Sequence, residues 1–366
     1  MTQRSEPPYR AEHVGSLLRP AGLAEARAKH KRGELSAEAV RASEDAAIRD
    51  AVAMQESLGL QAVTDGEFRR DYWHLDFLSA FSGAEMWEAR RLRGFSNEEQ
   101  PPVVKITSKV SRGAPIFVDH FKFLKSVATG TPKITIPGPA LIHLRPGNEA
   151  VDPSAYPDVE EFWADFTEGY REEIADLFEA GCRYLQIDDV SFAYLCDEAM
   201  RDMVSARGDD PDATLALYVR LINDVLRDRP DGLAVATHMC RGNFKSAWVA
   251  QGGYELVAEA VLGGLDVDGF FMEYDSDRAG GFEPLRYVPD DKFVVLGLVT
   301  SKSPELEAKD DLKRRVDEAA RFVPLERLCL SPQCGFSSTH HGNLVSEDDQ
   351  RRKLSLVVET AAEIWG

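Results

Sequence analysis

A repeated pattern of amphipathic helix, glycine, short apolar strand and acidic residue runs through this chain. It appears at Gly59 to Asp65, at Gly181 to Asp188 and again at Gly264 to Glu273. Parallel strands are buried on both faces of their sheet, so they appear in a sequence as continuous apolar runs. The repetition therefore predicts β/α units, in which a helix connects each parallel strand to the next.

The number of apolar runs distinguishes between the ways in which such units assemble. Eight strand–helix units predict an α/β fold, a (β/α)8 TIM barrel, with residues 1–366 forming a single catalytic barrel. A doubly wound open sheet is the alternative, but it does not need to bring its first and last strands together. The predicted strands contain Val14, Val63, Ile134, Ile187, Val235, Phe271, Val295 and Leu328.

Between residues 68 and 130 the pattern loosens, and aromatic and charged residues mix. We interpret this stretch as an insertion after the second strand rather than as a separate domain. Within it, Val103–Ile106 and Ile116–Val118 are predicted to pair as antiparallel strands. Outside it, Ser36 is a predicted N-cap of a helix, and a C-terminal helix near residues 348–364 is predicted to close the outer ring.

Composition excludes several classes of partner. The net charge of −19 and a pI near 4.9 argue against binding to nucleic acid or to an anionic membrane. No apolar run reaches the ~18 residues of a membrane span, and the first residues lack a signal-peptide core. Five unevenly spaced cysteines fit a reducing compartment better than a disulfide framework. A cytoplasmic protein is therefore expected.

Four residues at predicted strand ends have the chemistry of a zinc site. His238 and Cys240 alternate along one strand, so both side chains point the same way. Glu273 ends a second strand, and Cys334 follows a third. A barrel brings these strand ends together, so the four residues are predicted to bind one Zn²⁺, although Glu273 also has an alternative role as a general acid or base. Core packing is the expected role of Cys182, Cys196 and Cys329.

This ligand set limits the chemistry. One neutral imidazole, two thiolates and a carboxylate give the metal site a net negative charge, which disfavours hydrolysis by metal-bound water. Zinc promotes deprotonation of a substrate thiol, and the anionic ligands leave its sulfur electron-rich. The carboxylate of Glu273 is the ligand most easily displaced. The set therefore predicts activation of a thiol for alkyl transfer.

Other polar residues at strand ends are candidates for holding the substrates. Glu67 and Asp188 are predicted to bind an ammonium group, and Ser16, after Gly15, a carboxylate. Each has an alternative reading as an ordinary loop or rim residue. A basic group is predicted to bind an anionic substrate, with ordinary surface charge as the alternative: Arg145, Arg241, Lys245 and Lys302.

Several motifs together resemble the catalytic barrel of cobalamin-independent methionine synthase. They are VGS at 14–16, DGE at 65–67, QIDD at 186–189, THMC at 237–240 with the downstream Glu273, and a Pro-x-Cys-Gly segment at 332–335. The resemblance covers nearly the whole chain and indicates a short, single-barrel member. It implies that homocysteine is methylated to methionine with 5-methyltetrahydrofolate or another methyl carrier as donor. It also implies zinc binding by His238, Cys240, Glu273 and Cys334 and homocysteine binding by Ser16, Glu67 and Asp188.

Two positions depart from the family pattern. Lys302 stands where the family has a catalytic histidine before Ser-Pro, and it is predicted to serve as a cation or acid. The tryptophan that stacks on folate is missing after Gly138-Pro139, and Trp73 or Phe192 is a candidate replacement. A methylated corrinoid on a carrier protein is therefore an alternative donor.

Three other functions remain open at this point. One resembles the epoxyalkane:coenzyme M transferases, in which an arginine cluster would bind a sulfonate. A second is a zinc hydrolase or lyase with Glu67 or Asp188 as the base, and the third is a noncatalytic binding protein. Five histidines have no assigned role, and packing or exposure is expected for His13, His74, His120, His340 and His341.

Overall fold

The computed structural model describes residues 4–88, 102–243 and 246–366. Seven strands pair in parallel in one sheet, in the order β1, β4, β5, β6, β7, β8, β9, and β2 pairs with β3 in a separate antiparallel hairpin. The strands are β1 (Ala62–Val63), β2 (Ser82–Trp87), β3 (Val103–Ser111), β4 (Thr131–Pro137), β5 (Tyr184–Asp189), β6 (Ala234–Met239), β7 (Gly269–Glu273), β8 (Phe293–Val299) and β9 (Leu328–Pro332).

Helices connect most of the parallel strands. Ser36 caps α2 as predicted, because its side chain accepts a hydrogen bond from the backbone N–H of Ala39, and Ser346 and Asp349 form a capping box on α12. The helices are α1 (Ala21–Lys31), α2 (Ala37–Ser57), α3 (Leu75–Leu78), α4 (Val118–Val127), α5 (Leu141–Leu144), α6 (Val159–Glu179), α7 (Ser191–Tyr194), α8 (Glu198–Ala206), α9 (Pro211–Leu226), α10 (Ala258–Leu262), α11 (Lys309–Ala319) and α12 (Glu347–Trp365). None of these described helices is long and apolar enough to cross a membrane.

Residues 10–17 close the curled sheet between β9 and β1. On one side Ala11 forms a parallel bridge with Leu330, and on the other Leu17 N–H donates to the carbonyl of Gly66 at 3.1 Å. The predicted strand around Val14 is therefore present, among the described residues, as a strand bridge at Ala11. Side chains replace the backbone ladder beyond it: the carbonyl oxygens of His13, Val14 and Gly15 accept hydrogen bonds from Lys133, Gln186 and Thr64, respectively.

With this segment the ring has eight parallel members, and the predicted (β/α)8 TIM barrel is confirmed. Its interior is partly polar. Lys133 and Glu12 form an ion pair of 3.1 Å inside the barrel, and neither side chain has any exposed surface. Around them pack small and aromatic side chains of the surrounding strands, among them Tyr9, Val14, Ala62, Tyr184, Ala236, Phe271, Val295 and Cys329.

The predicted insertion after the second strand is the hairpin β2–β3 with α3 and α4, all between β1 and β4. Its predicted pairing is wrong, because β3 pairs with β2 rather than with Ile116–Val118. The N–H groups of Ile116 and Phe117 donate to the carboxylate of Glu173 on α6, and α4 begins at Val118. The assignment of residues 1–366 to one domain stays a prediction.

Candidate metal and substrate site

The carboxyl ends of the parallel strands surround a cavity, as expected for a barrel of this type. His238 lies on β6 with Cys240 just beyond it, Glu273 ends β7, and Cys334 lies two residues beyond β9. One ligand atom from each of these four residues lies within 4.8 Å of the other three, and all four side chains are buried. The structure therefore brings together residues that are 96 positions apart at most, although their role as metal ligands stays a prediction.

The donor atoms of this cluster suit a zinc ion. The sulfur atoms of Cys240 and Cys334 are 3.4 Å apart, and Nδ1 of His238 is 3.4 Å from Oδ1 of Asp188. Oε2 of Glu273 accepts a hydrogen bond from the side chain of Gln333 at 3.2 Å. Oε1 of Glu273 is buried, and its described polar neighbour is Nε2 of His238 at 3.6 Å, so a cation between these two atoms would contact both.

Electrostatics in the cluster also favour a cation. Burial lowers the pKa of His238, but hydrogen bonds to Asp188 and Glu273 and the nearby Cys334 outweigh burial and raise this pKa to about 10. The pKa of Cys334 is lowered, first by the hydrogen bond with Cys240. These shifts describe a pocket with excess negative charge, which holds a proton on the imidazole where a divalent metal would replace it.

Lys302 lies close to this cluster without lining the cavity. Burial raises the pKa of Glu273, but the charge of Lys302 and the contacts with His238 outweigh burial and hold this pKa at about 2. Nζ of Lys302 is buried and has no hydrogen-bond partner in the described part of the chain. The charge of Lys302 also opposes the rise in the pKa of Cys240 and lowers the pKa of Cys334, so its ammonium group lies near the thiols as well as the carboxylate.

The predicted basic group does not form one surface in the described residues. Arg145 lines the cavity, whereas Arg241 is fully buried and its guanidinium lies 4.3 Å from the ring centre of Tyr254. Neither Arg241 nor Lys302 lines the cavity, and Lys245 lies outside the described residues. Arg145 is therefore the described member of this group that faces the cavity.

Glu67, Asp188 and Ser16 all line the cavity beside the cysteines. Oε1 of Glu67 accepts a hydrogen bond from Thr135 at 2.9 Å, while its buried Oε2 has no partner in the described residues. Oδ1 of Asp188 accepts one from Gln186 at 2.7 Å. Burial, opposed by Arg70 and reinforced by Asp188, raises the pKa of Glu67 to about 7. These carboxyl groups are placed to receive a cationic group of a ligand.

A glycine keeps space open next to Ser16. A Cβ atom on Gly335 would lie 1.9 Å from Oγ of Ser16, which is far inside contact distance. Gly335 follows Cys334 directly, so the backbone next to this predicted ligand lies against the hydroxyl of Ser16. Together with Glu67 and Asp188, this hydroxyl gives the cavity groups of the kinds that bind an amino acid.

Aromatic residues also line the cavity. Trp73 and Tyr194 line it, whereas the alternative stacking residue Phe192 is fully buried and does not. His74 also lines it, and burial with the charge of Arg145 lowers the pKa of His74 to about 3, so the ring is neutral. Trp73 is thus the candidate stacking residue that the cavity exposes.

The other histidines lie outside this lining. Burial lowers the pKa of His13 to about 3 and that of His120 to about 4, and both are neutral near pH 7. The rings of His340 and His341 lie 3.9 Å apart, and His340 packs against Tyr72 at 5.5 Å. Their contacts are with the chain itself.

The sequence did not single out two polar residues that contact the predicted metal ligands. Asn243 donates hydrogen bonds to the Gly335 carbonyl at 2.9 Å and to the Cys334 sulfur at 3.7 Å. Gln333 contacts Glu273, and its backbone oxygen lies 3.1 Å from Nε2 of His238. The sequence signal for these residues was their closeness to predicted ligands, since Gln333 directly precedes Cys334 and Asn243 follows Cys240 by three residues.

Comparisons with known proteins agree on one family. The family described as "Cobalamin-independent synthase, Catalytic domain" matches residues 11–362. The uncharacterized protein YxjH of Bacillus subtilis is 45% identical over 98% of this chain and 95% of its own length. A methionine synthase of Saccharolobus solfataricus is 25% identical over 94% of this chain and 92% of its own.

A solved structure extends the agreement to the fold. A Listeria monocytogenes protein, provisionally named a vitamin-B12-independent methionine synthase, superposes with a TM-score of 0.80 at 38% identity. The match covers 99% of this chain and 100% of that one. The sequence motifs, the barrel and the family match therefore lead to one conclusion: this chain belongs to the cobalamin-independent methionine synthase family, through its catalytic domain.

Proposed function

We propose that the protein is a zinc-dependent methyltransferase that methylates the thiol of homocysteine to give methionine. The observation that carries this proposal is one cavity lined by both kinds of group that the reaction needs. His238, Cys240 and Cys334 line it together with Ser16 and the two carboxyl groups of Glu67 and Asp188. A thiol amino acid held by its ammonium and carboxylate groups there would place its sulfur at the metal cluster.

In this proposal His238, Cys240, Glu273 and Cys334 hold Zn²⁺, which supplies Lewis acidity that keeps the substrate sulfur deprotonated near neutral pH. Glu67 and Asp188 bind the substrate ammonium, and Ser16 binds its carboxylate. Asp188 has a second role, because its contact with Nδ1 of His238 fixes the orientation of that ring.

The bond changes are those of a displacement at carbon. The substrate sulfur gives up its proton to solvent and forms a bond to the methyl carbon. The bond from that carbon to the donor breaks and its electron pair stays on the donor, which takes up a proton where the leaving atom is a folate nitrogen. Glu273 would be the most weakly held of the four candidate ligands, because a carboxylate is a harder and weaker ligand than thiolate sulfur. Lys302, beside Glu273, supports the carboxylate electrostatically and is the candidate acid or cation of the reaction.

The donor is proposed to enter along the aromatic part of the cavity. Trp73 and Tyr194 offer surfaces on which a flat ring can stack, and Arg145 offers a positive charge for an anionic group. This lining supports 5-methyltetrahydrofolate as the donor. A methylated corrinoid on a carrier protein is the alternative donor that the assay below distinguishes.

Arg145 also favours a second candidate function. A guanidinium in the cavity suits a sulfonate as well as a carboxylate, so alkyl transfer to coenzyme M, as in epoxyalkane:coenzyme M transferases, is the alternative. The two acidic residues Glu67 and Asp188 favour the amino-acid thiol, because coenzyme M has no ammonium group for them to bind.

A crossed assay tests the function. The zinc-loaded protein is incubated with homocysteine or coenzyme M, each against 5-methyltetrahydrofolate, methylcobalamin and a short epoxide, and products are identified by mass spectrometry. We expect methionine from homocysteine and no product with coenzyme M. The Glu67→Gln protein serves as the matched control and should need far more homocysteine. Turnover of coenzyme M alone, or no methionine with either methyl donor, would refute the proposal.

A further inference from the structure

Gln333 contacts two of the four predicted metal ligands, Glu273 and His238, and is the chain neighbour of a third, Cys334. Its side-chain Nε2 donates to Oε2 of Glu273 at 3.2 Å, and its backbone oxygen lies 3.1 Å from Nε2 of His238. It directly precedes Cys334 in the chain. Gln333 is 1% exposed, so these contacts are made away from solvent.

Hydrogen bonds hold both the side chain and the backbone of Gln333 in place. Oε1 accepts a hydrogen bond from the hydroxyl of Thr300 at 2.9 Å, and the backbone N–H of Gln333 donates to the carbonyl of Val299 at 2.8 Å. Both partners lie at the end of β8, between the strand that carries Glu273 and the strand that leads to Cys334. The amide therefore spans the end of β8 in a fixed orientation, with its N–H groups towards Glu273.

This arrangement distinguishes the two oxygens of Glu273. Oε2 has the amide donor, with Arg278 farther away at 3.8 Å, while the described polar neighbour of the buried Oε1 is Nε2 of His238, a predicted metal ligand, at 3.6 Å. The amide bond occupies one acceptor site of Oε2 and fixes the plane of the carboxylate, so Oε1 is the oxygen that is more available to a cation. An uncharged amide orients the group without adding to the positive charge that Lys302 and Arg278 already bring to it.

We propose that Gln333 is a positioning residue of the metal site, which orients Glu273 so that Oε1 is the oxygen offered to the metal. The inference rests on the proposed zinc-dependent function, since it concerns how one ligand of that metal is oriented. Loss of the amide leaves Oε2 buried without its donor, so the carboxylate is no longer fixed for the metal. Partners of this kind typically change metal affinity by about tenfold to hundredfold.

The test compares metal binding by the wild-type protein and Gln333→Met, which keeps the length of the side chain and removes the amide. Zn²⁺ affinity is measured by competition with a chromophoric chelator, and Co²⁺ replaces Zn²⁺ for absorption spectra. We expect Gln333→Met to bind Zn²⁺ about tenfold or more weakly. The thiolate-to-Co²⁺ charge-transfer bands should remain because both cysteines remain, while the d–d bands shift because the carboxylate has moved.

Gln350→Met is the matched control. Gln350 is also a buried glutamine whose side chain accepts a hydrogen bond, from the N–H of Leu18 at 2.8 Å, but it does not line the cavity. It should lose thermal stability without a change in Zn²⁺ affinity or in the Co²⁺ spectrum. If Gln333→Met does not fold, Gln333→Asn replaces it, since its shorter amide cannot reach Glu273 from the same backbone.

Unchanged Zn²⁺ affinity and an unchanged Co²⁺ spectrum in the folded Gln333 variant would overturn this inference. The result would leave the proposed function intact, because the wild-type protein would still bind zinc in that experiment. Conversely, a wild-type protein that binds no Zn²⁺ would refute the proposed function first, and the role of Gln333 with it.

Discussion

Binding of an amino acid in the cavity should depend on the protonation of Glu67. Burial and the neighbouring Asp188 raise the pKa of this carboxyl group to about 7, even though Arg70 opposes the shift. The group is therefore protonated below that pH and ionised above it. Only the carboxylate attracts an ammonium group strongly, so affinity should fall as the pH falls through 7.

The size of the effect follows from the ionised fraction. With a pKa of about 7, that fraction falls from about one half to about one tenth between about pH 7 and about pH 6. Affinity for the ligand should then drop about fivefold, which is about 1 kcal/mol, and about tenfold for each further pH unit. The proton and the ammonium group of the ligand compete for the Glu67 carboxylate.

L-Methionine is the suitable ligand for this measurement, because it has the ammonium and carboxylate groups but no thiol proton to confuse the titration. Its dissociation constant is measured by calorimetry on the zinc-loaded protein across this pH range. Glu67→Gln should bind more weakly at pH 7 and lose the pH dependence. An affinity of the wild-type protein that does not change with pH, or the same slope in Glu67→Gln, would refute the reasoning.

Three further predictions follow from the same site. Cys240→Ser and Cys334→Ser should each lose bound zinc, measured by elemental analysis, while circular dichroism shows a folded barrel; stoichiometric zinc in either variant would remove that residue from the ligand set. Glu67→Gln should stabilise the ligand-free protein above pH 7, by about 3 kcal/mol at most, because the folded protein raises this pKa and so favours the protonated form. The same denaturation midpoint for both proteins at pH 8, or a difference in midpoint that does not shrink towards pH 4, would contradict this. Gly335→Ala should raise the KM for homocysteine at least about tenfold, because its Cβ would lie 1.9 Å from the Ser16 hydroxyl; an unchanged KM would show that Ser16 does not bind the substrate.

The barrel itself was predictable from the sequence, because its buried parallel strands leave continuous apolar runs between glycines and acids. The closing segment at residues 11–17 was harder to predict. Its carbonyl groups are satisfied by Lys133, Gln186 and Thr64, and no local pattern reveals a side chain that bonds from another strand. The same limit explains Ile116–Val118, where the distant Glu173 takes the backbone N–H groups that a strand partner would have used.

The candidate site was likewise only partly predictable from the sequence. His238, Cys240, Glu273 and Cys334 were recognisable because each ends or follows an apolar run, and strand ends meet at one face of a barrel. Gln333 and Asn243 were not, since an amide next to a predicted ligand is as ordinary as one on a surface. Whether it faces the metal cluster depends on the twist of the strand end, which only coordinates give.

Three interior side chains hold the carbonyl groups of residues 13–15 and so connect the inside of the barrel to the candidate site. Ser16, the proposed anchor of the substrate carboxylate, comes immediately after that segment, so its position is set from inside the barrel. An engineer who replaced Lys133, Gln186 or Thr64 with an apolar residue to strengthen the core would be altering substrate selection at the same time. On this proposal, side chains inside the barrel take part in substrate recognition.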